Sequence, residues 1–201
     1  RLHNTEYDKA HRLWFDQAKA MCRSVIPVSI LVVALAPELV HGVFGPRYSS
    51  AVTPLRLFSI IGIHRVTEYG VVLRAAGRNR DVVAASLVLL SLNITLGVPG
   101  VLMGGLLGLT LATVVAFGVS WWWILGRIGS VFGRSRVAVF PWSTWLSNVA
   151  YYGCAGVISC LLASGFSPSP LSTTVKLISF VMAVAIREKD VIFPRRRMLS
   201  V

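Results

Sequence analysis

Negative charge is scarce in this chain. Eight Asp and Glu residues face twenty Lys and Arg, and the formal net charge at neutral pH is +12. Charge of either sign is thin: 14% of residues are charged, against about a quarter in a soluble domain. That shortfall excludes an ordinary soluble globule. With 55% hydrophobic residues and a mean hydropathy of +0.69, the chain falls in the integral membrane class. Cysteine is also rare. Cys22, Cys154 and Cys160 form no C-x-x-C pair, which excludes a disulfide framework and a zinc site. Cys154 and Cys160 lie in an apolar run and read as small packing residues. No apolar h-region stands near the start, so no signal peptide is recognisable. The chain opens on Arg1 in polar sequence without an initiator Met, as expected of a piece cut from something longer. Its basic excess would point to nucleic acid if it formed one soluble patch. Apolar runs divide it, and no nucleic-acid partner, metal or cofactor is expected.

Long apolar stretches are what the sequence has in abundance. Six runs, A to F, cover 24–44, 55–73, 82–98, 102–126, 142–165 and 171–186. A membrane helix needs about 17–25 such residues. Run F is the weakest, being short, carrying Ser172, Thr173, Thr174 and Lys176, and following "SPSP". Lys and Arg alternate between the connections. Sixteen fall in the segment 1–23, the B–C turn, the D–E loop and the tail, while Arg47 alone marks the A–B loop. The C–D turn "GVPG" and the E–F loop hold none. The positive-inside rule reads this as six crossings with both ends cytoplasmic. If run F did not cross, Arg195–Arg197 would lie outside. Trp14, Trp121–Trp123, Trp142 and Trp145 all map to inner helix ends, where indoles anchor at the interface. The expected fold is all-α and integral to the membrane, with about six transmembrane helices.

Run B carries an ionisable stripe at its middle. At 100° per residue, Ile61, His64, Arg65, Glu68 and Val72 share one face, bordered by Tyr69. Arg65–Glu68 and His64–Glu68 have the spacings of touching pairs. One reading is that Arg65 and Glu68 neutralise each other and hold the bundle. The other is that the stripe lines a hydrated cavity, because ionisable residues within spans mark interiors or pathways. Arg suits phosphate, since its fork matches phosphate oxygens and stays charged. Glu38 and His41, near the outer end of run A, are candidates for a gate or for plain interfacial solvation. Gly100, Gly104, Gly108, Ala112 and Ala116 recur every four residues and predict close helix packing by run D. Pro27 and Pro37 predict kinks in run A. Asn93 and Asn148 are expected to bond between helices.

"LAPELVHGVFGPRYSSAVTPLRLFSI" (35–60) ends one helix with a Phe-Gly-x-x-Tyr turn and soon starts the next. "LRAAGRNRD" (73–81), "LSLNITLGVPGV" (90–101) and "GGLLGLTLATVVAF" (104–117) follow. This order resembles the oligosaccharide flippases of polysaccharide biosynthesis and export, within the multidrug/oligosaccharidyl-lipid/polysaccharide exporter superfamily. The resemblance implies a two-lobe transporter with a central cavity. Residues 1–126 would be part of the second lobe. Residues 127–201 would be a cytoplasmic loop, an additional helix pair and a basic tail, and the N-terminal lobe of the same protein would be missing. It implies a bacterial inner-membrane protein, surrounded by membrane lipid and not an enzyme, that moves polyprenyl-diphosphate-linked oligosaccharide outward by alternating access. Arg65 would attract the diphosphate, with His64, Glu68 and Tyr69 beside it. A multidrug and toxin extrusion antiporter of the same superfamily would need more acid than Glu68 supplies. A membrane enzyme of polysaccharide assembly would need paired carboxylates or a His/Cys cluster, and neither appears. A non-transporting scaffold would rest on the small-residue face of run D.

Overall fold

The computed structural model describes residues 2–64, 68–166 and 170–189, with no strand among the described residues. Helix is what a lipid environment demands, since hydrocarbon offers no water to satisfy free backbone groups. The first helix, α1 (Leu2–Ala34), joins the polar lead-in to run A and accommodates Pro27 within it. It gives way at Leu35 to α2 (Ala36–Phe44), where Pro37 sits in the first turn and its missing N–H costs little. Gly45, at φ 88°, ends α2, and a 3-10 turn (Pro46–Ala51) leads into α3 (Val52–His64). Next come α4 (Tyr69–Ala75), α5 (Asn79–Phe132), the short α6 (Arg136–Val139), α7 (Trp142–Ser164) and α8 (Pro170–Arg187).

A straight helix of the length of α5, 54 residues, would run roughly 80 Å. Its ends nevertheless meet. Arg78 Nη1 donates to Ser130 Oγ at 2.6 Å, and Asp81 lies 3.8 Å from Arg127 Nε. The reversal is at Gly105, whose φ of 55° and ψ of −136° suit only glycine. Runs C and D are therefore the two arms of one hairpin. The reversal falls at Gly105 rather than in "GVPG", because the helix tolerates Pro99 and continues through it. The arms touch backbone to backbone at Gly100 and Gly108, where a Cβ on either residue would overlap the other's carbonyl oxygen.

The core runs along one stripe of α1. Trp14, Ala18, Cys22 and Ile26, spaced by four, are buried against Tyr69, Leu73, Leu125, Ile128, Phe140, Tyr152 and Phe180. Among the described residues, four helices, α1, α5, α7 and α8, are long and apolar enough to cross a membrane. Their outer faces carry exposed Leu87, Leu90, Ile94, Val157, Leu161, Ile178 and Met182. In water such continuous apolar surface drives association. Facing hydrocarbon, it needs no partner.

Candidate functional site

Run B does not form one continuous helix. Its first part, α3, is described as far as His64. Glu68 has non-helical dihedrals (φ −81°, ψ 87°), and α4 restarts at Tyr69. Arg65 lies outside the described residues. Two carbonyls in the last described turn of α3 accept side-chain donors. Tyr69 Oη donates to the His64 carbonyl at 2.6 Å, and Trp145 Nε1 donates to the Ile63 carbonyl at 2.7 Å. Because Glu68 departs from helical dihedrals, the 100° spacing that gathers His64, Glu68 and Val72 onto one face is not kept.

A cavity of about 270 Å³ opens beside the interruption, lined by His64, Glu68, Tyr69 and Arg74, and by Ser86, Ser120 and Trp121 from the two arms of α5. His64 is buried and stacks on Trp121, ring centroids 5.2 Å apart and planes 28° apart. Glu68 pairs with Arg74 at 3.4 Å, and both side chains are more than half exposed. An exposed pair of this kind contributes about 0–1 kcal/mol. Both charges therefore remain available to something entering the cavity. The walls combine a cation, an anion, an imidazole and two hydroxyls on an aromatic floor. Such a wall can bind a charged, hydrogen-bonding group.

Trp121 also contacts Phe140, Trp142 and Trp145, with centroids 5.3 to 5.8 Å apart. Trp14 is 7% exposed and packs on Tyr69 and Phe140. These indoles form one cluster under the interrupted helix, beyond the anchoring role read from their positions. Arg74, Ser86, Ser120 and Trp145 are the site residues that sequence reasoning missed. Arg74 and Trp145 were legible as residues at helix ends. What brought them to the cavity is the folding back of α5 and the docking of α7.

Glu38 and His41 lie elsewhere, beside a second cavity of about 690 Å³ between α2, α3 and α8. Glu38 Oε1 is in contact with Lys176 Nζ of α8, and its other carboxylate oxygen is buried without a partner among the described residues. His41 Nε2 and Ser49 Oγ are 3.0 Å apart, and Arg56 Nε donates to the Val33 carbonyl at 3.3 Å. Of the three packing residues in run D, Gly108 and Ala112 lie against Gly100 of the other arm, whereas Gly104 has open space around it at the hairpin tip. Asn93 donates to Leu89 of its own helix at 2.9 Å, and Asn148 accepts from Arg187 of α8 at 3.1 Å. Among the described residues no three His, Cys, Asp or Glu side chains converge where a metal ion could be held. No family model, no curated protein and no solved structure matches this chain.

Proposed function

We propose that this chain is part of a membrane transporter that carries polyprenyl-diphosphate-linked oligosaccharide across a bacterial inner membrane by alternating access. The observation that carries the reading is the break in run B at Glu68, where the backbone leaves helical dihedrals before α4 starts at Tyr69, beside a polar cavity. Irregular backbone at membrane depth is tolerated where it is buried in protein or lines an aqueous cavity, and broken helices of this kind hold substrate in transporters. The motif order resembling the oligosaccharide flippases supports the same reading. The hairpin of α5 supports it too, because its two arms allow the six crossings implied by the Lys and Arg alternation, a scheme in which Arg47 is the lone outer-loop cation.

In this scheme Arg65 and Arg74 attract the diphosphate through forked, charge-assisted hydrogen bonds. Glu68 holds Arg74 until the substrate displaces it, while His64 and the hydroxyls of Ser86 and Ser120 orient the group. No bond is made or broken. A cation antiporter is the competing reading. It fits the cavity less well, because Glu68 is the one acid among the described lining residues and Arg74 opposes it.

The test uses the full-length gene in a strain lacking its flippase. Arg65→Gln and Arg74→Gln should each lower polymer export about tenfold or more, the loss expected for a charge-assisted hydrogen bond, at unchanged protein level. Normal export would remove that residue from substrate contact. A drug-resistance phenotype that depends on Glu68 would favour the antiporter.

A further inference from the structure

A third cavity, of about 480 Å³, lies between α1, α7 and α8, away from the interrupted helix. Arg23 of α1, Ser143, Thr144 and Ser147 of α7, and Arg187 with Glu188 at the end of α8 line it. We infer that this cavity is a phosphate-binding site. The inference goes beyond the transport reading and does not depend on it.

Arg187 is held in place before any ligand arrives. Its Nε donates to Asn148 Oδ1 at 3.1 Å and its Nη2 donates to Ser147 Oγ at 2.7 Å. Its guanidinium also lies 4.5 Å from the centroid of the Tyr151 ring. Nη1 has no acceptor among the described residues, so one edge of a fixed fork stays available. A guanidinium immobilised in this way loses little freedom on binding an oxyanion.

Two further features favour negative charge. Ser143 and Thr144 occupy the first turn of α7, which begins after Pro141 and has no side-chain cap. Uncapped N–H groups and the positive end of the helix dipole attract anions there, and the two hydroxyls can donate as well. Asn148 is 2% exposed, and its Nδ2 has no hydrogen-bond partner among the described residues. Glu188 is the opposing charge. Tyr152 Oη donates to it at 3.0 Å, and Arg23 Nε is 4.0 Å away, at the limit of an ion pair. With Arg23 and Arg187 both present, the cavity keeps a net positive charge.

A fixed fork, several hydroxyls and a helix amino end are the donors that a tetrahedral oxyanion uses. A phosphate group fits them whether it is the headgroup of an anionic phospholipid or free phosphate. Basic pockets between membrane helices hold lipid phosphates in this way.

The full chain, placed in nanodiscs of phosphatidylcholine alone or mixed with phosphatidylglycerol, provides the test. Native mass spectrometry after detergent extraction reads the lipid retained. The unaltered chain should retain phosphatidylglycerol over phosphatidylcholine. Arg23→Gln with Arg187→Gln should lower that retention about tenfold or more. Glu188→Gln, which keeps an acceptor for Tyr152 and removes the opposing charge, should raise it. A purely structural role would not move the two variants in opposite directions. Equal retention by all three, with unchanged helicity by circular dichroism, would overturn the site. Displacement of the lipid by inorganic phosphate would identify free phosphate as a sufficient ligand. Failure to displace it would assign the site to the lipid headgroup. Both of those outcomes support phosphate binding.

Discussion

Trp145 and Tyr69 each place one polar hydrogen on a carbonyl in the last described turn of α3. Removing either donor leaves a poorly solvated acceptor, which costs about 1–3 kcal/mol. Trp145→Phe and Tyr69→Phe keep most of the ring volume, so each should lower thermal stability in detergent by about that amount. An unchanged melting temperature in both would mean that the interruption needs no donors. Glu38 and Lys176 pose the opposite problem. Their side chains are 23% and 15% exposed, and they join α2 to α8. Lys176→Met strands a carboxylate and should cost about 3 kcal/mol, while Glu38→Gln added to it should recover much of the loss. A double variant no more stable than the single would show that the two side chains do not act as a pair.

The glycine-rich run of α5 separates pattern from contact. Gly104 and Gly108 share a four-residue spacing, yet only Gly108 meets the other arm. Gly108→Ala should therefore destabilise by about 1–3 kcal/mol through overpacking. Gly104→Ala should be neutral, or stabilising by up to about 1 kcal/mol, because the unfolded chain loses freedom and nothing is crowded. Melting curves of the two variants in the same detergent check the contrast, and equal losses would place the close approach elsewhere. The spacing alone could not distinguish the two positions. It reports which residues share a face, and the reversal at Gly105 decides which part of that face finds a partner. Run B shows the same limit. Its apolar length was legible as one span. The break at Glu68 was not, because no Pro or Gly marks residues 64–69, and Trp145, which bonds the Ile63 carbonyl, comes from a distant segment.

Over the whole molecule, the alternation of Lys and Arg makes a prediction about sidedness. In a chain whose three native cysteines are replaced by Ala, a single Cys at Ser49 or at Phe166 should react with a membrane-impermeant maleimide on intact cells. A Cys at Asn79 or at Ser135 should react only after permeabilisation. Labelling of Asn79→Cys and Ser49→Cys from the same side would rule out a crossing between them and overturn the six-crossing arrangement. The buried stripe from Trp14 to Ile26 makes the lead-in part of the bundle rather than a loose arm, since its residues pack on α4 and on the end of α5. A truncation before Ala18 should therefore lose cooperative melting and not merely trim the surface.

The sequence by itself determined the presence of helices apolar enough to span a membrane, the helical class, the limits of α7 and α8 to within a residue or two, and the bias of positive charge. Each follows from local chemistry: hydrocarbon excludes charge and requires internally bonded backbone, and both requirements act on a stretch of chain regardless of its neighbours. Only the tertiary structure decided where run B breaks, which glycines touch, and that Arg74, Ser86, Ser120 and Trp121 meet in one cavity. It also decided that Arg23, Ser147 and Arg187, far apart along the chain, line another. Those outcomes depend on which donors and small residues distant segments bring to the same place, and that is set when α5 folds back and α7 docks against α1.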